Sequence, residues 1–175
     1  MHAQSTGWVS NQLAYHLLWR AVEFDITAAC AESDLGILCY SPLQQGLLTG
    51  RFTNPAEVPA GRSRTRHFGN RQKMSRHETE GHEALTFATI DRLRSLAADL
   101  RHPMADVALA WLLQQRGVRS VISEPAPPNK SAANTRAASL TLDAATLAAL
   151  DLATLDLKQA LGPNADLWAA KTRGI

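Results

Sequence analysis

The chemistry this chain can offer is concentrated in the stretch Gly36-Ile-Leu-Cys-Tyr-Ser-Pro-Leu-Gln-Gln-Gly-Leu-Leu-Thr-Gly-Arg-Phe52, where an apolar run ends in a polar turn. The ring of Tyr40 and the hydroxyl of Ser41 close the run, and Pro42 forbids its simple continuation. The loop behind them is bracketed by Gly46 and Gly50 and followed by Arg51. Strand ends of this kind face the ligand crevice of α/β proteins, and the N–H groups of a Ser-Pro-Leu turn suit phosphate oxygens. Tyr40 alone is equally well an ordinary strand aromatic. The Ser41-Pro42-Leu43 turn directly behind it favours a ligand role.

Three other clusters are weaker. His77-Glu-Thr-Glu-Gly-His82 is a near miss for the zinc motif His-Glu-x-x-His. Its histidines are five apart, so on a helix they point about 140° from each other. A solvated helix start is the better reading, and no metal site is assigned. The acid-free stretch from Arg62 to Arg76 lacks the interleaved aromatics that stack on single strands, apart from Phe68, and the net charge of the chain is only +2. It reads as a mobile lid or a solvated loop, with no nucleic-acid partner. Cys30 and Cys39 have neither metal-ligand nor redox spacing, and read as reduced thiols filling the core of a cytoplasmic protein.

The elements that must position these residues alternate. A strand is expected over Gly7–Leu13, a helix near Ala21–Ala31, and a buried strand over Ile37–Tyr40. The loop Thr53–Arg76 follows. Phe87, Ile90, Leu93 and Ala97 then recur at helical spacing and predict one buried helix face. Pro103 suits the first turn of the next helix, which runs to about Gln115 and stops at Gly117. A third strand is expected over Val118–Ile122. Past the turn Pro125–Pro128, one helix carries Lys130 and Asn134. Another starts after Thr141 as its cap, with Leu147 and Leu150 inward. The turn Leu161–Asn164 precedes a last segment holding Trp168.

Alternation of this kind predicts an α/β fold with parallel strands and crossover helices. With 175 residues, 45% hydrophobic and 19% charged, one domain over residues 1–175 is expected. Only about three strands are visible, whereas a complete (β/α)8 barrel takes about 250 residues. The fold expected is therefore partial. The start of the chain lacks the basic and apolar regions of a secretory leader. The longest apolar run, Val107–Leu113, is far below the roughly 20 residues of a membrane helix, so no membrane partner is assigned.

Four stretches, in order, resemble the aldo-keto reductases. They are Ser10-Asn-Gln-Leu-Ala-Tyr-His-Leu-Leu-Trp-Arg20, the stretch Gly36–Phe52, Val107-Ala-Leu-Ala-Trp-Leu-Leu113, and Leu157-Lys-Gln-Ala-Leu-Gly-Pro-Asn164. The resemblance implies the C-terminal half of a TIM-type barrel, strands six to eight with their outer helices. It implies an NADP-linked carbonyl/alcohol oxidoreductase, with Gln12 on the nicotinamide carboxamide and Tyr40 stacked on the nicotinamide face. Ser41, Leu43 and Gly46 then meet the pyrophosphate, together with Arg51 and one of Arg62, Arg64 or Arg66, of which Arg64 is taken as the site residue. Lys130 reaches a 2′-phosphate, and Asn134 belongs to the adenosine clamp. Glu124, Ala126 and Ala133 depart from the family's usual clamp residues, which implies NADP(H) held more weakly at that end. The family's catalytic tyrosine, aspartate, lysine and histidine lie in the other half of the barrel, so no catalytic residue is assigned here. A second copy or a separately encoded N-terminal half is the partner this implies. The alternative is a non-catalytic fragment with no activity of its own.

Overall fold

The computed structural model describes residues 7–123 and 135–168. Three parallel strands, β1 (Ser10–Ala14), β2 (Gly36–Tyr40) and β3 (Val118–Val121), form one sheet in the order β1-β2-β3. Between and after them lie α1 (Ile26–Glu32), α2 (Glu83–Asp99), α3 (Met104–Leu113), α4 (Ala144–Ala153) and α5 (Leu155–Leu161). Residues 135–139 are also helical. This is an α/β fold with helical crossovers, as a partial (β/α)8 barrel provides.

The apolar pattern explains the layers. On one face of β2, Ile37 and Cys39 are fully buried, and α1 and α3 pack against β2 and β3. Helix α2 turns Phe87, Ile90, Leu93 and Ala97 inward, as their spacing predicts. Helix α3 is buried nearly all round, because it lies between β3, α2 and the turn behind β2. Leu150 of α4 is fully buried and Leu147 half-buried.

Several expectations need correction. The first strand begins at Ser10 rather than Gly7. Trp8 and Val9 stand exposed at its start, and the pairing with β2 opens at Ser10 and Gly36. The helix expected near Ala21–Ala31 is two pieces, a 3-10 turn Ala21–Glu23 and then α1. Asp25 breaks it by leaving helical backbone angles (φ −142°). Helix α4 is capped by Asp143, whose carboxylate accepts from the Thr146 N–H at 2.8 Å, and not by Thr141.

The stretch 53–76 is neither a free lid nor a solvated loop. Ser63, Thr65, His67 and Phe68 are buried. The Arg66 guanidinium donates to Leu161 O at 2.8 Å and Asn164 O at 3.2 Å, and the His82 N–H donates to His67 O at 3.0 Å. Residues 63–68 thus form a strap pinned between the C-terminal turn and the start of α2.

Candidate functional site

The strand register brings the first two candidate residues to one face. Gln12 pairs with Leu38 and Ala14 with Tyr40, so Gln12, Leu38 and Tyr40 share a side of the sheet. That side is the one the helices leave uncovered. Gln12 is exposed and Leu38 and Tyr40 are half-buried, while Ile37 and Cys39 opposite them are sealed in the core. The amide of Gln12, expected at the end of its strand, lies instead in the middle of β1, and shares this face with the aromatic ring at the carboxyl end of β2.

The turn after β2 carries unusual backbone. Ser41 (φ 53°), Gln44 (φ 44°), Gln45 (φ 53°) and Gly46 (φ 95°) all lie in the left-handed region, which is costly for the three non-glycine residues. The turn is held from behind. Gln44 is buried, and its Nε2 donates to Thr65 Oγ1 at 3.0 Å and to His67 Nδ1 at 3.0 Å. Within the turn, Gln44 N–H donates to Ser41 O at 2.8 Å and Gly46 N–H to Leu43 O at 2.9 Å.

Gly46 is where two cations meet. A Cβ at this position would lie 3.0 Å from Arg51 Nη2 and 3.1 Å from Arg62 Nη1. Arg62 also donates to Gln45 O at 3.3 Å, and Arg51 lies over the Phe52 ring at 4.4 Å. Among the described residues neither guanidinium forms an ion pair. Two exposed like charges aimed at one glycine corner, without a carboxylate between them, suit a phosphate-bearing ligand.

The remaining candidates lie elsewhere. Arg62 is the cation that joins Arg51, whereas Arg64 stacks on Trp168 at 5.1 Å and its Nε makes no hydrogen bond among the described residues. Arg66 stacks on Trp19 at 5.4 Å. Lys130 and Asn134 fall outside the described residues, as do Glu124, Ala126 and Ala133. A cavity of about 710 Å³ lies at the start of α3, lined by His102, Asp106, Arg136 and Ser139 among others, and none of the sequence-chosen site residues that are described lines it.

Tyr15 is a structural residue. Its hydroxyl donates to Glu23 at 3.0 Å, and its ring packs edge-on against Trp111. Burial, and then the Glu23 carboxylate, push this phenol far above its ordinary range. His77, expected on a solvated helix start, is buried, with Nε2 3.1 Å from Thr65 O and Nδ1 2.9 Å from Thr79 Oγ1. No group of three or more potential metal ligands occurs among the described residues. The sequence reading missed Gln44, Thr65, His16 and His67, which support the turn from inside. No motif marks them, because their proximity exists only in the fold.

The sequence model described as the aldo/keto reductase family matches residues 1–154. The chain is 28% identical over 131 residues to an NADH-specific methylglyoxal reductase of Escherichia coli, covering 75% of this chain and 37% of that protein. It is 31% identical over 94 residues to the aldo-keto reductase yakc, NADP(+), of Schizosaccharomyces pombe, covering 53% of this chain and 25% of that one. It is 26% identical over 135 residues to a probable voltage-gated potassium channel subunit beta of Oryza sativa, covering 75% and 38%. The chain thus spans less than two-fifths of the length of these relatives. No helix among the described residues is long and apolar enough to cross a membrane.

Proposed function

The chain belongs to the aldo/keto reductase family, and from that premise we propose that it is the cofactor-holding portion of an NADP-linked carbonyl/alcohol oxidoreductase. The observation that carries this reading is the convergence of Arg51 and Arg62 on Gly46, at the carboxyl end of the strand that bears Tyr40. When bound, NADP(H) supplies the hydride. Gln12 orients the carboxamide, and the Tyr40 ring gives the nicotinamide a flat wall. The Ser41–Gly46 turn and the two guanidiniums take the pyrophosphate. Lys130 and Asn134 serve the adenosine end.

Neither tyrosine of the chain is placed as a general acid among the described residues. Tyr15 is sealed against Glu23 and Tyr40 is a stacking wall. Without a general acid, reduction of a carbonyl loses about 10²- to 10⁴-fold. Strands that supply such a donor would lie outside these residues, and a second copy or a separately encoded N-terminal half is one source of them. The edges of β1 and β3, unpaired among the described residues, are where such strands would add, closing over the face that holds Gln12 and Tyr40. The buried free thiols Cys30 and Cys39 fit a cytoplasmic setting.

The same open edges favour a second reading, a fragment that folds only with a partner and has no activity of its own. Melting the purified chain with NADPH, NADH or neither separates the two. A ligand at 100 times its Kd adds about 2.7 kcal/mol, or about 5–10 °C for a chain of this size. A cooperative transition that rises with NADPH supports the cofactor reading, and a larger rise with NADH would move it to NAD. A transition that ignores both nucleotides overturns it.

A further inference from the structure

The strap 63–68 meets the turn behind β2 through an unusual set of buried groups. His67 is fully buried, and its Nε2 lies 2.7 Å from Leu18 O. A carbonyl oxygen only accepts, so the proton sits on Nε2 and Nδ1 is the acceptor. Nδ1 receives Gln44 Nε2 and Thr65 Oγ1, each at 3.0 Å. His16 stacks on His67 with ring centroids 6.4 Å apart, is also fully buried, and among the described residues has no hydrogen-bond partner at either ring nitrogen. Among the described residues Gln44 Oε1 is buried and unpartnered as well, and so is Trp19 Nε1, whose ring lies 5.6 Å from His67.

The charged groups around this cluster all oppose a further positive charge. Arg66, His82 and His77 bear on His67, and His67 bears on His16. Asp166 bears on Arg66 rather than on the pair. Glu83, the carboxylate along the strap, is already taken by Gly69 N–H at 2.9 Å and Gln72 Nε2 at 3.3 Å. Burial, with Arg66 and the two neighbouring histidines adding to it, pushes His67 down to about 4, against the Leu18 hydrogen bond. Burial and His67 hold His16 well below the imidazole range, with only the Gln44 side chain working the other way.

We propose that His16, Gln44, Thr65 and His67 form an acid-sensitive latch, which holds the strap 63–68 against the turn 41–50 while both imidazoles are neutral and releases it when either takes a proton. A second proton on His67 goes to Nδ1, where it faces the Gln44 amide and the Thr65 hydroxyl. Turning the amide over supplies an acceptor but no countercharge. The closed state therefore binds fewer protons than the open one. Its stability is complete above the free imidazole value of about 6.5 and falls as the pH drops below it. Opening carries the left-handed corner at Gln44–Gly46 with it. The latch does not depend on what that corner binds.

Amide exchange, corrected for intrinsic rates, tests this without nucleotide. Between pH 7.5 and 5.5 protection in residues 41–50 and 61–70 should fall about tenfold for one titrating imidazole and about a hundredfold for two, given open-state values near 6.5. Helix α4 should hold its protection. The double variant His16→Phe with His67→Gln should keep both segments protected at pH 5.5. His16→Phe alone should remove part of the loss, and serves if the double variant does not fold. Unchanged protection in the wild type, an equal loss in α4, or an undiminished loss in a folded variant would each overturn the latch. Nucleotide affinity measured at pH 7.5 reports separately on the cofactor reading, which can fail while the latch stands.

Discussion

Arg20 grips Glu23 with both ends of its guanidinium, Nε to Oε1 at 2.6 Å and Nη2 to Oε2 at 2.8 Å. Lys158 Nζ reaches the same Oε2 at 2.8 Å, and Arg20 Nη1 donates to Thr154 Oγ1 at 2.8 Å. The segment after β1 is thereby tied to the corner between α4 and α5, more than 130 residues along the chain. Arg20 and Glu23 side chains are only 8% and 16% exposed; without the Glu23 charge Arg20 keeps Asp151 at 3.1 Å, while Lys158 loses the carboxylate it is paired with. Glu23→Gln should cost about 3 kcal/mol in urea unfolding. A cost below 1 kcal/mol would mean that water reaches these groups far more freely than their burial implies.

The same carboxylate sets an acid limit. Burial works against its ionisation, but the hydrogen bonds and charges of Arg20 and Lys158 outweigh burial and hold Glu23 below the ordinary carboxylate range. A depressed folded value stabilises above the unfolded one and is lost as pH falls through the folded one. The stability gap between wild type and Glu23→Gln should therefore stay level from pH 7 to about 5. It should narrow below about 4.5, the ordinary value. A gap independent of pH down to 3 would contradict the ion-pair account.

Gly46 offers the sharpest test of the turn. At φ 95° a side chain costs about 1–2 kcal/mol, and a Cβ would press on Arg51 and Arg62. Gly46→Ala should leave the protein folded with Tm lowered by a few degrees, while NADPH affinity falls at least tenfold. Titration of NADPH fluorescence against folded variant and wild type reads this directly. Unchanged affinity would place the pyrophosphate elsewhere.

Much of the fold was legible because periodicity reports burial. The face Phe87, Ile90, Leu93, Ala97 and the apolar β2 needed no tertiary information. What was not legible came from groups whose partners are distant in sequence. His67 and His77 read as solvated because nothing local shows Leu18 O or Thr65 O waiting for them. Arg62, Arg64 and Arg66 are equivalent in sequence, and only the fold sends the first to Gly46, the second to Trp168 and the third to Trp19. Gln12 carries no signal of its own. Its place beside Leu38 follows from strand register, which a single strand does not reveal.

The cap of α4 turns on two residues. Thr141 and Asp143 are both good N-caps in type, and the helix could in principle have started at either. Asp143 takes extended angles (φ −74°, ψ 167°) and its carboxylate holds the Thr146 N–H, so the first turn closes on it. Asp143→Ala should lower the denaturation midpoint, and Thr141→Ala should leave it nearly unchanged. Chemical denaturation of the two variants decides; a larger loss at Thr141 would move the helix start.

Both thiols should be silent in the native state. Cys39 is fully buried in β2, and burial alone pushes it up to about 12, so almost no thiolate exists at neutral pH to attack a reagent. Cys30 is buried at the end of α1, with the Asn11 amide 4.0 Å from its sulfur. A thiol reagent such as DTNB at pH 8 should therefore label neither residue within minutes, and both after addition of denaturant. The labelling rate of the native protein then measures opening of the sheet itself. If Cys39 reacts at once while the chain remains cooperatively folded, the open face reaches through to the helical side, and β2 is not the buried centre of this fold.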